Sequence, residues 1–259
     1  MEQSKGGSAL HAYIEMKMEP ASPPVSLDYN YLVQAAIYTA LPEDVAGHVH
    51  DGGCPVGVRT FKPFAFSRLM GKFIIDGPSR TIAFPESVRL VIVSPDRKFF
   101  QSLISRLFLQ GRLVLGTARF DIIGIRFDEQ LVKDETVYVR TLSPVVTYST
   151  LLRPEGGKYT CFHQPGEGEF NRLVTGNLLK KYEAFYGSTP PSGQVHVRPL
   201  DRPRLHVTYY KGIVVKGYTC RLKLNGRREL LQLALDAGLG GKGSQGYGCL
   251  EKVEGRFGT

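Results

Sequence analysis

Six glycines and one lysine fall within eleven residues near the C-terminal end of the chain, in the sequence GLGGKGSQGYG (residues 238–248). A predicted amphipathic helix precedes this run and a short predicted strand follows it. Glycine lets a backbone turn with its N–H groups bare, so that a phosphate can approach them. Dinucleotide-binding loops have the opposite order, strand before helix, which excludes a Rossmann loop here. We therefore expect this glycine loop to bind a longer phosphate backbone, such as that of RNA.

The composition indicates a globular protein with a hydrophobic core. With 259 residues, 42% of them apolar, the chain can form one large domain or two of ordinary size. Neither a membrane-spanning run of about 18 apolar residues nor the apolar segment of a signal peptide is present, which predicts a cytoplasmic protein without membrane contact. The four cysteines lack metal-binding or disulfide spacing, so we expect reduced thiols, no metal and no cofactor. They are Cys54, Cys161, Cys220 and Cys249.

The charge favours an anionic partner. The formal net charge is +9, and the second half is the more basic, with 19 basic and 13 acidic residues in 128–259. Nine basic residues lie between positions 198 and 228, interleaved with aromatic residues such as Tyr209 and Tyr210. A solvated basic surface is the alternative, but aromatic interleaving favours nucleic acid. The candidate RNA contacts in this region are Arg198, Arg204, Arg221 and Lys223.

The hydrophobic periodicity repeats once along the chain. Each half is predicted to contain strand, helix, strands, helix and strand, which is the ferredoxin-like pattern of an α+β protein. The helices are expected at 27–41, from Asp96 onward, at 169–186 and at 227–237, and a basic hairpin is expected within 202–223. We predict two domains, residues 11–127 and 128–259, because the segment 128–135 is charged and lacks periodicity.

Several motifs together resemble one known family. They are YNYL and AIY within residues 29–38, VHDG at 49–52, FKPFAFS at 61–67, TLSPV at 141–145 and the glycine loop. In this order they are similar to the CRISPR repeat-specific endoribonucleases, the sixth Cas family, of the RAMP superfamily. The motifs occur in both halves, and their combination is more specific than the glycine loop, which other RAMP proteins share.

This resemblance implies tandem ferredoxin-like (RRM- or RAMP-like) domains and cleavage of precursor CRISPR RNA within each repeat. The implied reaction needs no metal: the 2′-hydroxyl of the RNA attacks, leaving a 2′,3′-cyclic phosphate and a 5′-hydroxyl. By matching motifs, His50 would be the general acid, Tyr38 the base or an orienting group, and Lys62 the phosphate stabiliser. The loop residues implied to bind RNA are Gly238, Gly240, Lys242, Gly246 and Gly248.

Some alternatives stay open at this point. His48 competes with His50 for the catalytic role, and Tyr38 lies beside the core stripe of its helix and could be a packing residue. The segment Cys54–Gly57 leaves the distance between His50 and Lys62 undetermined. The alternative function is a non-catalytic RAMP-type RNA-binding subunit of a CRISPR effector complex. The resemblance also permits a homodimer, and the sequence does not decide between these assemblies.

Overall fold

The structure is a computed structural model that describes residues 10–47 and 53–254. The first half, here the N-terminal unit, contains in chain order β1 (Leu10–Met18), β2 (Val25–Ser26), α1 (Asn30–Ala40), α2 (Glu43–Gly47), β3 (Cys54–Val56), β4 (Arg59–Phe61), β5 (Ala65–Phe66), β6 (Met70–Gly71), β7 (Ile74–Asp76), β8 (Thr81–Ala83), β9 (Ser87–Val93), α3 (Arg97–Gln110), β10 (Arg112–Leu115) and β11 (Ala118–Glu129). Its main sheet is antiparallel, in the order β10-β11-β1-β9-β5, and β6 also pairs with β9.

The second half, here the C-terminal unit, contains β12 (Thr136–Thr141), β13 (Tyr148–Leu152), β14 (Lys158–Phe162), α4 (Gly168–Tyr186), β15 (His196–Pro199), β16 (Arg204–Tyr210), β17 (Ile213–Thr219), β18 (Arg221–Asn225), α5 (Arg228–Ala237) and β19 (Leu250–Lys252). Its main sheet has the order β15-β18-β12-β19, and β16 and β17 form a separate hairpin. Each unit has the core order strand, helix, strand, strand, helix, strand. The first and third of these strands are central in each main sheet, namely β1 and β9 in one and β12 and β18 in the other. The predicted tandem ferredoxin-like fold of the α+β class is confirmed.

Local sequence signals explain the helices. Asp96 caps α3, because its Oδ1 accepts a hydrogen bond from the backbone N–H of Phe99 at 3.0 Å. The apolar residues Phe99, Leu103 and Leu107, whose four-residue spacing predicts one face of a helix, are buried against the first sheet. The start predicted at Asp96 is thus confirmed, whereas the helix expected over 27–41 is shorter, Asn30–Ala40.

Two strand predictions needed correction. The sequence pattern predicts one extended segment over 212–224, but the structure has two strands there, β17 and β18, because the first pairs with β16 and the second with β12 and β15. Between them lies Cys220, whose backbone pairs with Thr141. The sequence pattern predicts the last strand over 247–253, but this strand begins at Leu250, because the preceding residues belong to the glycine loop.

The two units have separate cores that meet at a shared contact. One core contains residues between 12 and 120 and the other residues between 132 and 250. A smaller apolar cluster joins the units through Tyr13, Ala65, Val91, Val93, Leu142 and Cys249. Tyr13 also donates its hydroxyl hydrogen to Glu251 Oε1 at 2.7 Å. The exact domain boundary at 127/128 stays a prediction. Within the described ranges, no helix has the length and hydropathy to span a membrane.

Candidate RNA interface and catalytic residues

The glycine loop lies between the two units. Asn30 and Gln34 on α1 donate side-chain hydrogen bonds to its backbone, Asn30 to the Gln245 carbonyl at 2.9 Å and Gln34 to the Ser244 carbonyl at 2.7 Å. Gly246 has a left-handed backbone (φ +86°), and a Cβ there would lie 2.5 Å from the ring of Phe66. Glycine is therefore required at this position because the loop packs directly against the N-terminal unit.

The expectation of bare N–H groups is wrong for much of this loop. The N–H of Leu239 donates to Gly248, that of Gly241 to Val146 and that of Gly248 to Pro144, at 2.8–2.9 Å. The predicted RNA contacts Gly238, Gly240, Gly246 and Gly248 are buried. These glycines thus have a packing role that glycine-rich sequence alone does not distinguish from phosphate binding. Their contact with RNA stays a prediction.

Lys242 is the charged residue of the loop and remains partly accessible. Its backbone is left-handed (φ +66°), and its Nζ lies 5.8 Å from the centroid of the Tyr148 ring. Partial burial lowers the pKa of its ammonium group below the usual value. Lys242 also makes a long contact with Gln245 Oε1, 3.4 Å. Of the five predicted loop contacts, this side chain can present a positive charge to a phosphate.

A buried lysine that the sequence analysis missed supports the loop. Lys181 on α4 donates hydrogen bonds to three backbone carbonyls, those of Ala237 (3.0 Å), Gly238 (2.6 Å) and Gly240 (3.1 Å). It therefore caps the C-terminal end of α5 and the first turn of the loop. Burial lowers the pKa of Lys181 to about 7. The sequence did indicate that Lys181 could be buried, because it follows Leu178 by about one helical turn and therefore shares the buried face of α4.

Tyr38 lies near the C-terminal end of α1 and is half-buried. Its ring meets that of Phe64 edge to face, with centroids 5.8 Å apart. Burial, and secondarily the nearby Tyr210, raise the pKa of its hydroxyl to about 12. The packing interpretation and the catalytic interpretation are thus compatible, because the ring packs while the hydroxyl can still form hydrogen bonds.

The hairpin β3–β4 brings Lys62, which follows it, close to Gly53, which precedes it. Strands β3 and β4 pair so that Cys54 lies opposite Phe61, which puts the flanking residues Gly53 and Lys62 side by side. A Cβ on Gly53 would lie 3.1 Å from Lys62 Nζ. The segment Cys54–Gly57 therefore does not carry Lys62 away from the preceding loop. His48 and His50 lie outside the described residues.

The hairpin is also attached to the other unit. The ring of Phe61 meets that of Phe185 on α4 edge to face, with a centroid distance of 6.4 Å. An edge-to-face aromatic pair adds about 0.5–1.5 kcal/mol to the contribution of the buried area. This contact fixes the segment that carries Lys62 relative to the C-terminal unit.

The four predicted basic contacts divide between two surfaces. Arg198 and Lys223 are cross-strand neighbours in the C-terminal sheet, and Lys223 Nζ lies 5.9 Å from the ring of Tyr138. Arg221 is on the same sheet, in an ion pair with Asp201 at 2.9 Å. Arg204 instead begins the separate hairpin β16–β17. The sequence placed all four in one region, but the structure does not bring Arg204 into the sheet.

The fold and the site define the class of this protein. It is a tandem ferredoxin-like protein with a glycine loop between its two units. Residues 127–252 match the family described as CRISPR associated protein Cas6, C-terminal. CRISPR-associated endoribonuclease Cas6 1 of Methanocaldococcus jannaschii is 23% identical over 234 residues, 89% of this chain and 88% of that protein. Cas6 2 of the same organism is 26% identical over 243 residues, 86% and 92% of the two chains. The C-terminal region of the chain thus matches the Cas6 family, and the similarity to Cas6 endoribonucleases extends over most of the chain.

Solved structures agree with the fold. A Cas6-related protein from Pyrococcus furiosus is 16% identical, with a TM-score of 0.83 covering 96% of this chain and all of that one. A RAMP protein that binds different RNA substrates is 17% identical, with a TM-score of 0.79 over 95% and 100% of the chains. At these identities the likeness concerns the fold.

Proposed function

We propose that the protein is an endoribonuclease that cleaves precursor CRISPR RNA within its repeats. The relatives that match along most of the chain are named endoribonucleases. The observation that carries the proposal is the hairpin β3–β4, which places the Lys62 ammonium group beside Gly53, three residues after His50 in sequence. Tyr38 is close to the same segment, because its ring packs on Phe64.

The proposed reaction transfers a phosphoryl group within the RNA. The 2′-oxygen forms a bond to the adjacent phosphorus while the bond from phosphorus to the 5′-oxygen breaks. The products are a 2′,3′-cyclic phosphate and a 5′-hydroxyl, so one proton leaves the 2′-hydroxyl and another reaches the 5′-oxygen. His50 is assigned as the acid that supplies the second proton, and Lys62 stabilises the negative charge that develops on the phosphate.

The pKa of Tyr38 restricts its role. With a pKa of about 12, roughly one molecule in 10⁵ carries the tyrosinate at pH 7. Tyr38 is therefore assigned as a hydrogen-bond donor that orients the reacting groups and not as the base. The base role then passes to a second imidazole, for which His48 is the candidate in the same loop.

A second candidate function is RNA binding without cleavage, in a RAMP-type subunit of a CRISPR effector complex. The likeness to a RAMP protein that binds different RNA substrates favours it. A protein that only binds RNA has no need of both His50 and Lys62. A homodimer and association with an effector complex are further proposals that come from the family resemblance.

Cleavage of an end-labelled repeat RNA in EDTA tests the proposal. Wild type, His50→Ala, His48→Ala and Lys62→Ala are compared, each also with RNA carrying one 2′-deoxy nucleotide at the cut position. We expect wild type to cut the all-ribose RNA in EDTA and to leave the deoxy RNA intact. Tight binding without cleavage of any repeat would establish the second candidate function. Full activity of His50→Ala would move the acid role to another residue, and cleavage abolished by EDTA would contradict metal independence.

A further inference from the structure

A cleft of about 580 Å³ lies between α1 and the tip of the hairpin β16–β17, within the size range of ligand sites. Both units contribute to it. It is lined by Ser26, Asp28, Tyr31, Leu32, Arg80, Tyr209, Lys211 and Gly212. None of these residues belongs to the proposed catalytic set, and only the hairpin was expected from sequence to contact RNA.

Two tyrosines face the cleft, one from each unit, and each tyrosine ring lies near a cation of the other unit. Tyr31 is 43% exposed and Tyr209 is 40% exposed. The Arg80 guanidinium of the N-terminal unit lies 5.4 Å from the ring of Tyr209, and Lys211 Nζ of the hairpin lies 5.8 Å from the ring of Tyr31. Accessible aromatic faces beside cations are the arrangement that binds single-stranded nucleic acid, by base stacking and phosphate contact.

The backbone at both cations is strained. Arg80 and Lys211 have left-handed φ angles, +53° and +49°, and in the described part of the chain Lys242 is the other non-glycine residue of this kind. Lys211 and Gly212 form a two-residue turn between the paired residues Tyr210 and Ile213. Such turns favour asparagine before glycine, so lysine is not the residue that the backbone prefers. Strained residues of this kind cluster at functional sites.

The cleft keeps a positive charge. Asp28 forms an ion pair with Arg80, with 3.1 Å between oxygen and nitrogen. Two cations and one carboxylate leave a formal charge of +1 in the lining. Because the carboxylate also orients the guanidinium, Arg80 is held near the ring of Tyr209 while Lys211 remains available to a phosphate.

The cleft is aligned with the proposed catalytic residues along α1. Tyr31, Gln34 and Tyr38 are three and then four residues apart, which places them on one face of the helix. Gln34 joins the three surfaces, because it accepts a hydrogen bond from Tyr210 of the hairpin and donates to Ser244 of the glycine loop. Seven residues of helix separate Tyr31 and Tyr38 by about 10.5 Å. A single strand of RNA spans that length with a few nucleotides.

We propose that this cleft binds one unpaired nucleotide of the RNA substrate, a few nucleotides from the cleaved phosphate. Its base stacks between Tyr31 and Tyr209, and its phosphate contacts Lys211. The proposal rests on the proposed function, since it names a substrate subsite of that same RNA. It does not require cleavage, because the subsite contributes to binding.

Paired changes in protein and RNA test the subsite. Affinity is measured by fluorescence anisotropy for repeat RNAs that each carry one abasic nucleotide, with wild type, Tyr209→Ala and Tyr159→Ala. Tyr159 is the matched control, because it is also 40% exposed and has Arg153 5.9 Å from its ring, but it lies on another hairpin, β13–β14. We expect Tyr209→Ala to weaken binding about 5- to 100-fold and Tyr159→Ala to leave it within about twofold.

The abasic series makes the test specific. At one or two adjacent positions, loss of the base should weaken wild type by a similar factor and cause no further loss in Tyr209→Ala. Additive losses at every position, or equal affinities of the two tyrosine variants, would overturn the subsite. If wild type binds repeat RNA but never cleaves it, the nuclease proposal fails while this comparison still decides the subsite.

Lys211→Asn separates RNA contact from folding. Asparagine suits the left-handed turn, so the melting temperature should stay equal or rise, whereas RNA affinity should fall about 3- to 30-fold and depend less on salt. A variant that is as stable as wild type and binds RNA equally would overturn the phosphate contact.

Discussion

Gly53 lies directly against the ammonium group of Lys62, because β3 and β4 return the chain to its starting point. A Cβ on Gly53 would also lie 2.5 Å from Thr60 Cγ2 and 2.9 Å from the Phe61 carbonyl oxygen. Backbone atoms cannot yield as a flexible side chain can. Any substitution here must therefore shift the segment that carries Lys62.

We expect Gly53→Ala to slow RNA cleavage at saturating RNA by at least about tenfold, because a displacement near 1 Å can cost about a hundredfold in rate. RNA affinity should change much less. Gly57→Ala is the control, since Gly57 has a similar φ of +57° but open space around its Cβ position. Single-turnover rates and anisotropy measure the two effects. Equal rates for both variants would contradict a role of this contact in positioning Lys62.

Tyr38→Phe keeps the ring that packs on Phe64 and removes the hydroxyl. If the hydroxyl orients the reacting groups, single-turnover cleavage should fall roughly 10- to 100-fold, with RNA affinity and melting temperature nearly unchanged. The pH–rate profile should keep its shape, because a hydroxyl with a pKa of about 12 does not titrate near neutrality. Full activity of Tyr38→Phe would assign the residue to packing alone.

Lys181→Met should destabilise the protein by about 2–5 kcal/mol, because three carbonyls of the α5 end and glycine loop lose their donor. Urea unfolding measures the change. Lys180→Met is the control, since the neighbouring Lys180 is exposed on the same helix. RNA affinity should also fall for Lys181→Met under conditions where the variant is folded. Equal stability of the two variants would show that water replaces the ammonium group.

Because the Asp236 carboxyl is buried, we expect the free energy of unfolding to depend on pH. Burial raises the pKa of this carboxyl to about 7 in the folded chain, whereas Gln232, which donates a hydrogen bond to it, acts in the opposite direction. The folded state then binds the proton more tightly than the unfolded state, so stability is lost as pH rises from about 4 to about 7. A shift near three units corresponds to about 4 kcal/mol as an upper limit.

Asp236→Asn removes this titration and can still accept the hydrogen bond from Gln232. The variant should therefore gain stability over wild type by a few kcal/mol at pH 8 and show little difference at pH 4. Urea unfolding of both proteins across this range measures the difference, and effects of other groups cancel in the comparison. A gain that is the same at both pH values would mean that the carboxyl is not held neutral by burial.

Local patterns were sufficient to predict the order of the core helices and strands in each unit. The cap at Asp96 and the apolar stripe of α3 are encoded within a few neighbouring residues, and the repeat of the pattern indicated two similar halves. The proximity of Gly53 and Lys62 could not be predicted in this way, because the sequence of two short strands does not show that they pair with each other. The basic hairpin was also predicted from the sequence. The separation of β17 from β18 at Cys220 was not, because it depends on which strands each of them pairs with.

The surroundings of the glycine loop could not be predicted, since they depend on residues distant in sequence. Asn30 and Gln34 contact the loop from more than two hundred positions earlier, and Lys181 reaches it from another helix. Composition shows that the loop is flexible in conformation and basic, which suits both packing and phosphate binding. Only the fold shows that five of its eleven N–H groups already donate to backbone carbonyls.

The position of the loop has a consequence for synthesis on the ribosome. Asn30 and Gln34 emerge more than two hundred residues before the carbonyls that they bond, which belong to residues 244 and 245. Nascent chains acquire structure from the N-terminal side first. The N-terminal unit must therefore wait, with its loop-binding surface open to solvent, until nearly all of the chain described here has been translated. The contact between the two units at this loop can therefore form only after residue 245 has been translated.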